Sequence, residues 1–235
     1  GPKYIKLECD KTCNLSCPSC RSSVKGLNEE ESERVYNMLM EKVYPNLQDC
    51  EYLFGNNAGE LLAGKALIKF YQLLSHEKFP KMQLMIYSNG MLLDKEHLDQ
   101  LSNLKGMPII YSVSVDAAEK ETYEKLRRGG KWEKLDANLL YIKSLLSEDK
   151  NIQLRLNFCV QKDNYKQIPQ FMKLAKKWGA SIVALQLMTD WGTMPVEEFK
   201  EKNVIHESNP HRQEALKLVK EAVDESEITV VTNIL

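Results

Sequence analysis

Three cysteines lie close together near the N-terminus, in the string Cys13-Asn-Leu-Ser-Cys17-Pro-Ser-Cys20, with the spacing C-x3-C-x2-C. Thiolates at this spacing on one loop can each bind one corner of a cuboidal [4Fe–4S] cluster. One iron of such a cluster then has no protein ligand, so that a substrate or cofactor can bind it. The spacing therefore predicts an iron–sulfur centre with one open coordination position.

A structural zinc site is the alternative interpretation of the same cysteines. Zinc usually takes four protein ligands, often as separated cysteine pairs. No second pair follows Cys20, although Cys9, Cys50 or a histidine could complete a zinc site. Four of the six cysteines fall between Cys9 and Cys20 in a chain of 235 residues. This crowding predicts a metal site in a reducing cytoplasm rather than a disulfide framework.

The bulk composition bounds the class of protein. The chain has 43% apolar residues, which suits one α/β domain over residues 1–235. Its net charge is −1, so we expect no nucleic-acid partner held by charge. No apolar stretch approaches the about 20 residues of a membrane span, so we expect no membrane partner. Gly1-Pro2 is typical of a scar left by tag removal, and residues from about 190 to 235 are expected to form a C-terminal extension.

Short apolar runs alternate with helical patterns along the chain. The predicted strands are Tyr4–Cys9, Glu51–Gly55, Gln83–Ser88, Ile109–Asp116, Ile152–Val160 and Ser181–Met188. The predicted helices are Asn28–Val43, Glu60–His76, Lys95–Leu104, Glu119–Leu126, Lys131–Leu146, Tyr165–Trp178 and Pro210–Val223. Repeated strand–helix units imply parallel strands with right-handed crossovers. Six such units form either a partial (β/α)6 TIM-like barrel with parallel strands or a doubly wound sheet.

The faces of two predicted strands favour the barrel. Polar residues share one face of the fourth and fifth strands, in the sets Ser112, Ser114, Asp116 and Arg155, Asn157, Cys159. Successive side chains of a strand point to opposite faces, so the residues between them form apolar faces. A polar face toward the interior and an apolar face toward helices are what a barrel with a polar lumen requires. The alternative is an ordinary half-buried sheet.

Four further segments follow predicted strands, and with the cysteines they resemble the radical S-adenosylmethionine (SAM) superfamily along almost the whole chain. They are Phe54-Gly-Asn-Asn-Ala-Gly-Glu60, Tyr87-Ser-Asn-Gly90, Val113-Ser-Val-Asp-Ala117 and Glu121-Thr-Tyr-Glu-Lys-Leu-Arg-Arg-Gly-Gly130. The last two resemble the branch that often carries a C-terminal SPASM or twitch domain. The first departs from the family pattern, because Leu61 replaces a proline and Asn56-Asn57 widens the loop.

The resemblance implies a chemistry and its cofactors. Cys13, Cys17 and Cys20 would hold the [4Fe–4S] cluster, and SAM would bind the open iron and be cleaved reductively to a 5′-deoxyadenosyl radical. That radical would abstract hydrogen from a substrate, and an electron donor such as flavodoxin or ferredoxin would supply the electron. The substrate is expected to be a peptide or protein. A sugar or other small metabolite, or a non-catalytic iron–sulfur protein, remains an alternative.

The resemblance also implies a set of SAM contacts. Gly55 and Gly59 would let the backbone approach the methionine moiety, and Glu60 would accept a hydrogen bond from its ammonium. Arg128, or its neighbour Arg127, would pair with the SAM carboxylate. The remaining expected contacts are Ser88, Asn89, Ser114, Asp116, Asn157 and Met188. An Asn-Gly turn, a structural amide and core packing are the alternatives for Asn89, Asn157 and Met188.

Cys159 is expected on the polar face of its strand, where its thiol would donate a hydrogen atom to a substrate radical. A small buried hydrophobe is the alternative role. No cysteine follows it in the given sequence, so no cysteine-ligated auxiliary cluster is expected after this point. This implies a member with a single cluster or a shortened chain.

Overall fold

The computed structural model describes residues 1–55 and 58–235, so Asn56 and Asn57 and the expectation that they widen their loop lie outside the described residues. The chain divides into two compact units, which are treated separately below. The first comprises residues 1–14, 24–112 and 138–153, and the second comprises residues 15–23, 113–137 and 154–235. A single domain over residues 1–235 stays a prediction.

The described residues form an α/β protein with seven strands and eight α-helices. The strands are β1 Tyr4–Lys6, β2 Tyr52–Phe54, β3 Gln83–Ser88, β4 Ile109–Ser114, β5 Ile152–Val160, β6 Ile182–Leu187 and β7 Thr229–Thr232. The helices are α1 Glu29–Met38, α2 Lys65–Tyr71, α3 Lys95–Asp99, α4 Lys120–Leu126, α5 Trp132–Glu148, α6 Ile168–Trp178, α7 Val196–Lys202 and α8 Arg212–Glu225. None of the helices in the described residues is long and apolar enough to span a membrane.

In the first unit, β1, β2 and β3 pair in chain order and run parallel. Leu53, Leu84 and Ile86 alternate with more exposed residues and are almost completely buried, so one face of these strands belongs to the core. The hydrogen bond from Gly55 N to Met85 O, at 2.7 Å, continues the ladder beyond the end of β2.

In the second unit, β5, β6 and β7 also pair in chain order and run parallel. The predicted alternation of β5 is confirmed, because Leu154, Leu156, Phe158 and Val160 are all completely buried. Helix α6 covers this face, with the rings of Phe171 and Phe158 4.7 Å apart. An apolar stripe of α6, which includes the buried residues Ile168, Phe171, Ala175 and Trp178, therefore faces the core.

Several predicted elements differ from the structure in extent. β3 and β5 have the predicted bounds, whereas β1 ends at Lys6. The predicted helix Glu60–His76 is a 3-10 turn, Leu61–Ala63, followed by α2. Gly64 separates the two, and a Cβ atom there would lie 2.6 Å from a carboxylate oxygen of Asp10. The prediction omitted α7 and β7, because neither of these short segments carries a strong apolar period.

Candidate cofactor site

The cysteine loop begins in the first unit with Cys13. Its backbone pairs with Lys25 in an isolated antiparallel bridge, in which Cys13 N donates to Lys25 O at 2.9 Å. The side-chain amide of Asn89 donates to Cys13 Sγ at 3.7 Å and to the Asn14 side chain at 2.8 Å. The turn that follows β3 therefore fixes the first cysteine.

The rest of the loop belongs to the second unit. Cys20 N and Arg21 N both donate to Cys17 O at 2.9 Å, which forms a tight turn between the second and third cysteines. Arg128 lies on the exposed side of this loop, where its guanidinium donates to Ser16 Oγ at 3.1 Å and to Ser22 O at 3.0 Å. The structure therefore gives Arg128 a role in holding the cysteine loop.

Arg127, one residue earlier, occupies a different environment. Its Nη2 lies 2.5 Å from Asp116 Oδ2, and its Nη1 donates to Cys17 Sγ at 3.9 Å. The two paired side chains are only 17% and 9% exposed. Burial lowers the pKa of the guanidinium, but Asp116 and Cys17 outweigh burial and raise it, so that Arg127 keeps its charge. A buried cation thus lies beside the second cysteine.

Asp116 is held in an unusual backbone conformation. Its φ is 61°, and among the described residues it alone has a positive φ without being glycine. Such a conformation costs free energy unless the surroundings fix it. Here Asp116 O accepts from Asn164 Nδ2 at 2.9 Å and Asp116 Oδ1 accepts from Cys159 N at 2.7 Å. These bonds aim the other carboxylate oxygen at Arg127.

Glu60 is a buried carboxylate in the first unit, 1% exposed. It accepts hydrogen bonds from Asn89 N at 2.7 Å and from Ser88 Oγ at 3.1 Å. Burial raises the pKa of Glu60 to about 7, although these donors oppose the shift. Glu60 has no ion-pair partner among the residues that the structure describes. A carboxylate buried without a cation is costly, so the position suits a cationic ligand group.

The raised pKa of Glu60 predicts a pH-dependent stability. The Glu60 carboxyl binds its proton more tightly in the folded chain than in the unfolded chain, where its pKa is near 4.5. Protonation of Glu60 therefore stabilises the fold at low pH, and this contribution is lost as the pH rises from about 4.5 through about 7. We expect wild type to lose about 3 kcal/mol more unfolding free energy than Glu60→Gln between pH 4.5 and pH 8. Urea unfolding of both chains at the two pH values measures the difference. Parallel pH profiles would contradict it.

The two expected backbone contacts, Gly55 and Gly59, both lie close to neighbouring protein backbone. A Cβ atom at Gly59 would clash with the carbonyl oxygen of Thr12 and lie 2.7 Å from that of Asp10. At Gly55 it would lie 2.9 Å from Met85 O. Protein backbone thus occupies the space that a side chain would fill at each glycine, and the expectation that the two glycines let the backbone approach the methionine moiety of SAM stays a prediction.

The other predicted residues fall at the ends of strands. Ser114, the last residue of β4, is half-buried, and Met188, just after β6, is 5% exposed. Asn157 is buried, and its side-chain oxygen accepts from Arg155 Nε at 3.1 Å. Cys159 is half-buried and its thiol donates to Leu187 O at 3.7 Å. Burial, followed by the charge of Asp116, raises the pKa of Cys159 to about 12.

The structure gathers these residues into two groups. The first unit brings together Cys13, Glu60, Ser88 and Asn89. The second unit brings together Cys17, Asp116, Arg127 and Cys159. Sequence reasoning did not select Asn164, which fixes the backbone of Asp116, and no motif marks it.

The side chains present fit an iron–sulfur cluster and SAM. None of the six cysteines, all of which the structure describes, forms a disulfide, and each cysteine of the motif has a nitrogen donor at its sulfur, with Arg21 Nη2 donating to Cys20 Sγ at 3.5 Å. Hydrogen bonds to the sulfurs tune such clusters. Glu60 suits an ammonium, and the buried Nε of Arg127 has no hydrogen-bond partner in the structure.

Comparison with solved structures shows the fold. SuiB of Streptococcus suis bound to S-adenosylmethionine aligns with a TM-score of 0.64 at 13% identity, over 99% of this chain and 50% of SuiB. SuiB bound to the precursor peptide SuiA aligns with a TM-score of 0.63 at 13% identity, over 99% of this chain and 49% of SuiB. The enzyme anSMEcpe with bound AdoMet aligns with a TM-score of 0.59 at 16% identity, over 97% of this chain and 63% of anSMEcpe. The predicted α/β fold, a partial TIM-like barrel of parallel strands, is confirmed, although with seven strands rather than six.

The chain thus spans about half the length of SuiB. A search of curated protein sequences finds no significant match. The family model of the Radical SAM superfamily matches residues 10–175, which include the three cysteines, the Glu60 loop and the segment that carries Arg127. The chain therefore belongs to the radical SAM superfamily, whose members are enzymes that use S-adenosylmethionine and an iron–sulfur cluster.

Proposed function

We propose that Cys13, Cys17 and Cys20 hold a [4Fe–4S] cluster and that the protein cleaves SAM reductively to abstract hydrogen from a substrate. The observation that carries this proposal is the cysteine loop itself, in which a nitrogen donor lies at each of the three sulfurs. When bound, the cluster and SAM supply the radical chemistry, and the protein supplies binding, orientation and exclusion of water.

The protein's own residues would bind SAM by charge complementarity. Glu60 would accept a hydrogen bond from the ammonium, and this cation would lower the raised pKa of Glu60 and keep the carboxylate ionised. Arg127 suits the SAM carboxylate better than Arg128, because Arg127 is buried and has an unused Nε, whereas Arg128 is exposed and holds the cysteine loop. Ser88, Asn89, Ser114, Asp116, Asn157, Met188, Gly55 and Gly59 remain proposed neighbours of SAM.

A peptide is the proposed substrate class. The support comes from SuiB, a structure of which contains its precursor peptide. A sugar or other small metabolite is the second candidate within the same chemistry. The ammonium of SAM would give the buried carboxylate of Glu60 an ion-pair partner, and this favours an enzyme over a non-catalytic iron–sulfur protein. We further propose a cytoplasmic location, with flavodoxin or ferredoxin as the electron donor.

One anaerobic assay tests this function. The chain is reconstituted with iron and sulfide, mixed with SAM and dithionite, and analysed for 5′-deoxyadenosine by mass spectrometry. We expect about four irons per chain and 5′-deoxyadenosine that depends on dithionite. A chain that holds the irons but forms no 5′-deoxyadenosine would contradict the proposed activity and favour a non-catalytic iron–sulfur protein.

Cys159 is the proposed hydrogen-atom donor, and its protonation can be tested without the substrate. A donor must retain its S–H bond, and the pKa of about 12 keeps this thiol protonated at neutral pH. At pH 8 the thiolate fraction is then about 1000-fold below that of a thiol with a pKa near 9. We expect iodoacetamide to alkylate Cys159 at least about 100-fold more slowly in the folded chain than in the same chain in urea.

The pH profile separates protonation from simple shielding. If the raised pKa controls the reaction, the alkylation rate of folded Cys159 keeps rising about tenfold per pH unit above pH 9, where the unfolded chain levels off. Peptide mass spectrometry identifies the modified residue. If the alkylation rate of Cys159 in the folded chain levels off near pH 9, the pKa of this thiol is not raised. The proposal that Cys159 donates a hydrogen atom would then lose this support.

A further inference from the structure

An aromatic face of β1, β2 and β3 has no part in the cofactor site. The strand register places Tyr4, Tyr52 and Gln83 side by side in one row. The next row along the strands is Lys6, Phe54 and Met85. Neighbouring residues in register point to the same face of a sheet, so these two rows form one surface, opposite the buried face of the same strands. We call these six residues the aromatic face.

The rings of the aromatic face are stacked and exposed. Tyr4 and Tyr52 stack with their centroids 5.1 Å apart and their planes at 4°, and Tyr52 and Phe54 lie 6.4 Å apart at 22°. Tyr4 is 65% exposed and Tyr52 is 37% exposed. A groove of about 460 Å³ adjoins them and is lined by Tyr52, Gln83 and Pro108 together with Glu51 and Lys81. Contiguous exposed apolar surface of this kind marks a binding site more often than chance.

The aromatic face leads to the residues proposed to bind SAM. Gly55 directly follows Phe54, and Tyr87, two residues after Met85 on β3, lies on the same face and directly precedes Ser88, which bonds to Glu60 and points to the opposite face. Strands rise about 3.3 Å per residue, so Ser88 is roughly 10 Å beyond the row of Phe54 and Met85. The aromatic face therefore continues through Tyr87 to the end of β3, next to Ser88 and Asn89, within a single unit of the protein.

The chemistry of the aromatic face selects its ligand. Of the three lysines near the rings, Lys3 is paired with Glu51 and Lys6 with Glu8, each at 2.6 Å, and Lys81 lines the groove. Gln83 contributes the only side-chain amide of the six residues. The surface offers flat tyrosine rings and the thioether of Met85. It suits an uncharged aromatic side chain, which stacks on tyrosine rings.

We propose that the aromatic face binds an aromatic side chain of a peptide substrate and so selects peptides that carry one close to the reacting residue. This inference rests on the proposed function, because it takes the peptide to be the substrate. It adds a specificity-determining surface, in which Tyr52 is the central ring and Tyr4 and Phe54 lie on either side of it.

The test uses two small neutral probes on the reconstituted protein under anaerobic conditions. N-acetyl-phenylalanine methylamide is titrated by ligand-observed NMR beside N-acetyl-alanine methylamide. We expect the phenylalanine probe to bind at least about 5-fold more tightly than the alanine probe, and Tyr52→Ala to lose most of that preference. Trp191→Ala is the matched control, because Trp191 is an aromatic residue that is 64% exposed outside this face. The affinity of Trp191→Ala for the phenylalanine probe should stay within about 2-fold of that of wild type.

A second variant guards against misfolding. Tyr4 is more exposed than Tyr52, so Tyr4→Ala disturbs packing less and should still weaken the phenylalanine probe by at least about 2-fold. Equal binding of both probes to wild type, or unchanged binding by Tyr4→Ala and Tyr52→Ala, would overturn the proposal. The proposal would also be overturned if Trp191→Ala lost as much affinity for the phenylalanine probe as Tyr52→Ala.

The same samples separate this proposal from the proposed function. 5′-Deoxyadenosine formed without substrate reports only SAM cleavage, and Tyr52→Ala should form it within about 2-fold of wild type. Selective binding of the phenylalanine probe by a wild-type chain that forms no 5′-deoxyadenosine would preserve the aromatic face and contradict the radical chemistry. SAM cleavage by a chain that binds both probes equally would support the radical chemistry and contradict the role of the aromatic face.

Discussion

Replacement of Cys17 by alanine should abolish cluster assembly and SAM cleavage together. The cluster would lose one of its three thiolate ligands, and Arg127 would lose its sulfur contact at 3.9 Å. We expect bound iron to fall to near background and 5′-deoxyadenosine formation to fall at least about 100-fold, since loss of a ligand is at least as severe as loss of the hydrogen bonds around one. Iron analysis, visible absorption and the anaerobic assay measure these quantities on one preparation.

Cys50→Ala is the matched control for this variant. Cys50 is 2% exposed and donates to Tyr52 O at 3.3 Å, so this change also removes a buried thiol, but one outside the cysteine loop. We expect full iron content and cleavage within about 2-fold of wild type. Full SAM cleavage by Cys17→Ala would refute the assignment of the cluster. Equal iron loss in both variants would show that the effect is one of folding.

Arg127→Gln should cause the largest loss of stability among single changes at the site. The variant leaves Asp116 buried without its cation, and breaking one partner of a buried ion pair costs about 3–5 kcal/mol. The strained backbone of Asp116, with φ at 61°, cannot relax while Asn164 and Cys159 N hold it. Urea unfolding of the iron-free chain measures this loss without any contribution from the cluster.

Arg128→Gln is the control, because it removes the same charge from the adjacent position. Arg128 is exposed and makes two hydrogen bonds to the cysteine loop, so we expect a loss of no more than about 1 kcal/mol. The double variant Arg127→Gln with Asp116→Asn should recover part of the stability, since neither side chain is then charged. A loss below about 1 kcal/mol in Arg127→Gln would contradict a buried pair.

The strands were predictable where their pattern was regular. β5 alternates apolar and polar residues over nine positions, and its bounds and faces match the prediction. β7 has four residues and no completely buried side chain, so its sequence resembles a loop. It forms because β6 offers an unpaired edge, with Ile182 and Leu185 paired to Thr229 and Thr232. Tertiary context decides a strand of this kind, and local propensity does not.

The site was predictable to the level of motifs and not of individual contacts. The cysteine spacing is a local property of the chain, whereas the roles of Arg127 and Arg128 depend on how the end of α4 turns. Both arginines follow the last residue of α4, and the backbone leaves the helical conformation at Arg127, with φ −110° and ψ 58°. Arg127 then reaches Asp116, and Arg128 is left exposed. The stacking of Tyr4 on Tyr52 likewise depends on strand register, which joins residues 48 positions apart.

Gly59 has a consequence for how this chain can change over evolutionary time. Its Cα lies against the backbone of Asp10 and Thr12, just ahead of Cys13, and Glu60 N donates to Thr12 O at 2.7 Å. A glycine retained only for contact with a cofactor would become free to vary in a descendant that no longer binds the cofactor. Gly59 would not, because any side chain would displace the segment that leads into the cysteine loop. We therefore expect lineages that lose the cysteines to keep this glycine long afterwards.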